Sequence, residues 1–275
     1  MTATIAVPTT RVTRIDRRPR VIRVGAGSAA RQSMIMALRG LLVFRRSPQL
    51  LFDAVLLPIA APVLFGSVFG TAVAGSVTDY LPILIPGVLV QIMLTMSVTT
   101  GVQLCEDVRS GVYDRFAAMP VARLAPIAGA LTAGVVRYTI GATVVLLVGR
   151  VMGYRPDHPL GLVAAAVLVV FVTTALSWVF AVVGVSVTRP AAVQGISGLL
   201  LMLLTCASNA LVPTSAMPSW LRAISDVNPV SHLVSAVRTL ADTGRFGGDA
   251  VWSVATALVV MLVSALVTVR VLRPR

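Results

Sequence analysis

Two places in this chain hold ionisable residues where they could act. One is the run Glu106-Asp-Val-Arg-Ser-Gly-Val-Tyr-Asp-Arg-Phe-Ala-Ala-Met-Pro-Val-Ala-Arg123, the most charge-dense stretch beyond the N-terminal tail. The other is the pair Asp53 and Arg137, each set inside a long apolar segment. Neither has the make-up of a catalytic or metal centre. His158 and His232 are the only histidines, and neither stands near a cysteine or a carboxylate pair. The usual zinc spacings are therefore missing, and Cys105 and Cys206 fall near opposite depths of predicted spans, which argues against a disulfide. All 23 basic residues are arginine, Glu106 is the only glutamate, and no GxxxxGK[ST] motif occurs. Without a P-loop lysine to reach the nucleotide's β and γ phosphates, the chain cannot hydrolyse ATP by that route. What remains open to these residues is recognition: a charged helix that docks a soluble partner, and membrane-embedded charges that pair or line a cavity.

The elements that must position them follow from hydropathy. About six long apolar stretches alternate with short arginine-bearing connectors, and 57% of the residues are hydrophobic against 12% charged. Hydrocarbon accommodates that layout as a bundle of spanning helices. The predicted fold is an all-α integral membrane protein with six transmembrane helices at about 49–70, 81–104, 124–148, 159–187, 191–212 and 249–272. Each is close to the ~20 residues that cross ~30 Å of hydrocarbon.

Charge sets the expected orientation. About ten arginines, from Arg11 to Arg46, precede the first span and bias it to the cytoplasm, and an even number of spans returns the C-terminus there. That topology places roughly seventeen arginines inside against five outside, with Arg137 left within the third span. Residues 1–27 lack the apolar core of a cleaved signal peptide and read as a disordered basic cytoplasmic tail, leaving 28–275 as the transmembrane domain. Over 28–46, Arg31, Arg39 and Arg46 share one helical face and Met34, Ile35, Leu38, Leu41 and Leu42 another, which predicts an amphipathic helix in the inner interface.

Between the second and third spans, Gly111 permits a break. Val112, Phe116 and Met119 then recur at helical spacing beside Asp114 and Arg115 until Pro120 ends the turn. This is either a docking helix for a soluble subunit or a charged loop that sets topology. The last connector, about 213–248, carries Val230, Leu233, Val234, Val237, Leu240 and Ala241 at helical spacing, with Arg238 and Asp242 as an i, i+4 pair. It predicts an extracellular, re-entrant amphipathic segment, with Trp220 at the interface.

Asp53 reads as a cap or partner for the arginines around Arg45, or as a functional carboxylate. Arg137 reads as a contact within the cavity or dimer, or as a snorkelling side chain. A depth difference of roughly 10 Å argues against a direct ion pair between them. Gln91, Gln194, Ser208 and Asn209 are candidates for bonds between helices, and Gly129, Ala133, Gly141, Gly195 and Gly198 for close helix approach.

Gly111-Val-Tyr-Asp-Arg-Phe-Ala-Ala-Met-Pro-Val-Ala-Arg123 resembles the cytoplasmic signature of ABC type-2 transporter permeases, in the form used by the daunorubicin-resistance exporter subgroup. Arg45-Arg-Ser-Pro48 through Pro86-Gly-Val-Leu-Val-Gln91 agrees, as does Val212-Pro-Thr-Ser-Ala-Met-Pro-Ser-Trp-Leu221 with Asn228-Pro229 and Arg238. The resemblance implies a six-helix permease that forms a homodimer or heterodimer and engages two copies of a separate ABC ATPase subunit, which binds ATP and Mg. It also implies that the loop holding Glu106, Asp107, Gly111, Asp114, Arg115, Phe116 and Pro120 contains the ATPase-coupling helix. The broad family often has Gly-Thr and Glu where this chain has Gly111-Val112 and Asp114.

The function expected is therefore a non-enzymatic permease in a cytoplasmic membrane, exporting a hydrophobic drug or lipid-like metabolite, with membrane lipid as surroundings and no nucleic-acid partner. Arginine-only basicity suggests a GC-rich genome. A secondary transporter driven by an ion gradient is the alternative, although it usually requires carboxylate relays and the spans offer only Asp53.

Overall fold

The structure, a computed structural model, describes residues 38, 42, 46–111, 125–210 and 217–271. The interfacial helix predicted over 28–46 falls almost wholly outside them; Leu38, Leu42 and Arg46 are described, and all three are helical and exposed. Among the described residues all regular structure is helical.

The first long rod is composite: α1 (Pro48–Leu51), a π-helical turn (Phe52–Leu56) and α2 (Leu57–Ala74) follow without a break. The π turn has a cause. Pro58 lacks an N–H and its ring crowds the carbonyl four residues back, at Ala54, so widening that turn relieves the clash. Gly75 ends α2 at φ +77°, and Ser76 starts α3 (Val77–Arg109), its hydroxyl accepting from the Asp79 N–H at 3.1 Å. At 33 residues α3 is about 50 Å long, roughly 20 Å more than hydrocarbon requires.

Next come α4 (Ala125–Met152), α5 (Pro159–Ser186) and α6 (Pro190–Cys206), then α7 (Ser219–Val227), α8 (Pro229–Thr243) and α9 (Gly248–Val271). Proline in the first turn of α5, α6 and α8 fixes where each begins, since no bond from its nitrogen is needed there. Among the described residues five helices are long and apolar enough to cross a membrane, and α6 is apolar but only 17 residues long.

That length departs from the continuous span expected over 191–212. The chain leaves the helix after Cys206: the Ser208 hydroxyl donates to the Thr205 carbonyl and accepts from the Ala210 N–H, which turns the backbone. The carbonyls so released do not go unpaired, because Arg238 donates to Asn209 O at 3.0 Å and Ala210 O at 3.3 Å, and also to Ile83 O of α3 at 3.1 Å. Arg238 thus donates its hydrogen bonds to backbone carbonyls, while Asp242, at the i, i+4 position, still acts on it electrostatically.

α3 and α5 form the centre. They cross where Gly101 faces Gly184: a Cβ on Gly101 would collide with the Phe180 carbonyl, and one on Gly184 with the Gly101 carbonyl. Around this axis α2, α4 and α6 pack on α3, and α8 and α9 on α5. Outer faces of α2, α6 and α9 leave large apolar side chains exposed, Leu64, Met202 and Leu266 among them. In water such faces would be a liability, whereas in a bilayer they are the expected surface.

The helix predicted around 230–241 is present as α8, with Val230, Leu233, Val234, Val237, Leu240 and Ala241 all buried. With α7 it forms a hairpin whose vertex, Asn228, caps α8 through its Oδ1 and donates from Nδ2 to Leu204 O of α6 at 2.6 Å. The His232 ring ties this hairpin to the start of α9: its Nδ1 lies 2.7 Å from the Asp249 carboxylate and the ring stacks on Trp252. Trp220 on α7 is 65% exposed.

Candidate functional site

Arg137 does not snorkel. α4 delivers it into the bundle, only 4% exposed, with Nη2 donating to Met96 O at 2.9 Å and to the Thr100 hydroxyl at 2.8 Å on α3. From there a chain of hydroxyls crosses the bundle: Thr100 to Tyr138 at 2.7 Å, and Tyr138 to Ser177 of α5 at 2.7 Å, with Ser177 donating to Thr173 O at 2.8 Å. Arginine can only donate and each hydroxyl has one proton, so the chain has a single consistent direction, from Arg137 through Thr100, Tyr138 and Ser177 to a carbonyl. Three helices, α3, α4 and α5, are thereby joined at one level by hydrogen-bonded polar groups, with the Arg137 Nε left without a partner among the described residues. The guanidinium also lies 5.5 Å from the Tyr138 ring centroid.

Asp53 occupies the π-helical turn, which packs against α4. It is partly buried and coupled electrostatically to Arg137, although the guanidinium is turned towards α3 and the two form no direct ion pair. The two isolated charges of the sequence therefore belong to one neighbourhood, which the expected depth difference had kept apart. A π turn in that place fits a site that needs a side chain re-aimed.

The second candidate region begins at the last turn of α3. Glu106 and Arg109 are exposed there and Asp107 is partly so. The Ser110 N–H closes the helix on Glu106 O at 2.9 Å, the Gly111 N–H reaches Val108 O at 3.3 Å, and Gly111 adopts φ +69°. Among the described residues no atom lies within 4 Å of where a Gly111 Cβ would sit, and its dihedral angle by itself favours glycine. Gly111→Ala is expected to lower the thermal stability of purified protein, by about 1 kcal/mol, and Gly111→Asn by less, because asparagine tolerates the left-handed region. Equal melting temperatures for wild type and Gly111→Ala would remove this account. The thiol of Cys105, one turn back, donates to Val187 O at 3.1 Å and links this end of α3 to the end of α5. Asp114, Arg115, Phe116 and Pro120 lie outside the described residues.

Of the polar residues singled out for contacts between helices, Asn209 makes one, donating to the Ser235 hydroxyl at 2.9 Å. Gln194 is exposed, and Ser208 bonds locally. Gly141 packs against Met93 and Met96, whereas Gly195 and Gly198 meet nothing within 4 Å and stand on an open face. Sequence reasoning passed over Thr100, Tyr138 and Ser177. The available signal was Tyr138 beside Arg137, with Ser177 four residues after Thr173 in a buried span.

At the far end of the bundle, in the connector after α4, burial pushes the Tyr154 phenol up to about 12, with Asp242 and Asp157 adding to the rise and Arg238 opposing it. It stays protonated at any physiological pH.

Long apolar helices packed around a buried arginine define a multi-pass membrane protein. The family model described as ABC-2 type transporter matches residues 31–241. The daunorubicin resistance ABC transporter permease protein DrrB1 of Streptomyces coeruleorubidus is 36% identical over 223 residues, covering 81% of this chain and 77% of that protein. The doxorubicin resistance ABC transporter permease protein DrrB of Mycobacterium tuberculosis is 26% identical over 228 residues, 77% and 79% of the two chains. The putative transport permease ycf38 of Porphyra purpurea is 26% identical over 199 residues, 70% and 68% of the two chains. The chain belongs to the ABC-2 type transporter family, as the permease subunit of an ATP-binding-cassette exporter. Permeases of this family are transport components, and the ATP is used by an ATPase subunit with which they pair.

Proposed function

We propose that this permease has six spans with both termini in the cytoplasm, that it dimerises, and that two ATPase subunits dock on the segment from Glu106 to Arg123. The observation that carries the reading is the length of α3. Its ~20 Å beyond the hydrocarbon thickness extends a rigid rod, buried through most of the bundle, out to Glu106, Asp107 and Arg109. A push on the segment following Gly111 would travel along that rod to Thr100, where Arg137 and Tyr138 join it to α4 and α5. ATP-dependent closure of the partner subunits would in this way bias the bundle between two states of access. The shortened α6, with the hairpin of α7 and α8 after it, serves as the fifth span together with a re-entrant segment at the outer face. The exported compound is hydrophobic or lipid-like, the class suggested by relatives named for daunorubicin and doxorubicin resistance.

Tagged protein purified from its native membranes in mild detergent is expected to recover a soluble ABC ATPase, and Asp114→Lys to lose it while still inserting. Arg109→Glu, on the described end of α3, should weaken the same association in the same assay. Equal recovery from wild type and both variants would overturn the docking assignment, and recovery of no ATPase from wild type would favour a gradient-driven transporter.

A further inference from the structure

His232, in the first turn of α8, is a side chain on which three helices meet. Its Nδ1 lies 2.7 Å from the Asp249 carboxylate in the first turn of α9, its Nε2 lies 3.0 Å from the Asp226 carbonyl near the end of α7, and its face stacks on Trp252 with the ring centroids 5.0 Å apart. An ionised carboxylate and a carbonyl can only accept. A neutral imidazole has one N–H, so either tautomer sets a nitrogen lone pair against one of the two oxygens, whereas the imidazolium donates to both. The Trp252 face likewise favours a cation over a neutral ring. The N-terminus of α8 opposes a positive charge, but its effect is blunted because the Asn228 carboxamide takes the Val230 N–H and the Asn228 carbonyl takes the His232 N–H. With the His232 side chain 22% exposed and that of Asp249 42%, water reaches the pair and can exchange its proton.

We propose that His232 is a proton-dependent clasp: as the imidazolium it fastens the end of α7 and the start of α9 to α8, and on losing its proton it keeps Asp249 and releases the Asp226 carbonyl. The carboxylate is kept because a hydrogen bond to a charged acceptor outlasts one to a neutral carbonyl. The hold on α7 is therefore complete in acid and is lost as the pH rises through the range in which histidine gives up its proton, about pH 5 to 8. The charged groups on the surrounding elements near this end are Arg222 and Asp226 of α7, Asp249 of α9, Arg245 in the connector before it and Asp79 in the first turn of α3, while α5 and α6 carry none. Arg222 donates to Met217 O, the Asp79 carboxylate accepts from Ser76, and Arg238 and Asp242 of α8 itself stand about two and three turns further along. It is the Asp249 carboxylate that bonds the ring. A second tie between α7 and α8, the Ser225 and Ser231 hydroxyls 2.9 Å apart, does not titrate, so the hairpin loosens without coming apart. The clasp depends neither on ATPase docking nor on the direction of transport.

The test uses purified full-length protein carrying a histidine-free tag. Labelling histidine with nitrogen-15 gives imidazole signals from His158 and His232 alone, and His158→Gln assigns them. From about pH 5.5 to about pH 8.5 the His232 signal is expected to change from a ring with both nitrogens protonated to one with the proton on Nδ1. Over the same range, hydrogen–deuterium exchange of the α7 amides, corrected for its intrinsic pH dependence, should rise about threefold to tenfold, the scale of one lost hydrogen bond. Asp249→Asn should abolish that rise and keep α7 protected throughout, since the amide can donate to Nδ1 while the Nε2–H stays on Asp226. His232→Leu should show the faster exchange at every pH; should that variant fail to fold, Asp249→Asn decides by itself. An equal rise in wild type and Asp249→Asn, a rise that survives in His232→Leu, α7 protection unchanged while the His232 proton is lost, or a His232 ring whose protonation does not change across the range would each overturn the proposal.

Discussion

Gly101→Leu is expected to reduce the yield of monodisperse protein in detergent by at least about tenfold. The crossing of α3 and α5 is a contact of backbone on backbone: the Gly101 position faces the Phe180 carbonyl, and Gly184 faces the Gly101 carbonyl in return. No flexible side-chain end is available to yield, so a larger residue must drive the two central helices apart. Overpacking a rigid core costs about 1–3 kcal/mol where the structure can adjust, and more where it cannot. Separation here would also stretch the hydrogen bonds from Arg137 through Tyr138 that hold α3, α4 and α5 at one level. Gly184→Leu should behave alike, because it enters the same crossing from the other side. Gly195→Leu, on the open face of α6, is the control and should leave the yield unchanged. A Gly101→Leu protein with the yield and melting temperature of wild type would show that the crossing is looser than described.

Arg137→Met should abolish ATP-driven efflux while leaving a protein that inserts and purifies. Methionine fills much of the same volume without bringing a charge into the bundle, and it removes the cost of holding a guanidinium out of water. The loss would arise elsewhere. Thr100 would forfeit its donor, so the path of hydrogen bonds across α3, α4 and α5 would lose the charge at its head, and Asp53 would lose the cation to which it is coupled. Asp53→Asn in the Arg137→Met background should therefore recover thermal stability relative to the single variant. The coupling in a double-mutant cycle should be about 1 kcal/mol, within the range for groups that share a network. Additive effects of the two substitutions would indicate that the charges act separately, and wild-type efflux by Arg137→Met would remove the network from the transport mechanism.

Much of this architecture was legible from apolar segment length alone. Predicted bounds for the spans at 159–187 and 249–272 differ by a residue at most from α5 and α9, because proline at the start of α5 and glycine before α9 mark those boundaries locally. The buried face of α8 followed from helical spacing. The fifth span did not, because hydropathy carries no sign of where a backbone will turn. Residues 207–212 are as apolar as a span requires, and the helix ends before them because Arg238, far along the chain, is placed to take the carbonyls that a turn exposes.

The same distinction holds for the site. The sequence by itself determined that this chain is a membrane bundle without a P-loop, that a charged segment follows its second span, and that Asp53 and Arg137 stand in apolar surroundings. Those are consequences of composition and local pattern, which each residue carries regardless of its neighbours. Only the tertiary structure decided that Arg137 turns inward to Thr100, that Tyr138 and Ser177 complete its path, and that His232 meets Asp249. Each of these depends on which helices meet, at what height and on which face, and a hydroxyl in an apolar span reads the same whether or not it finds a partner.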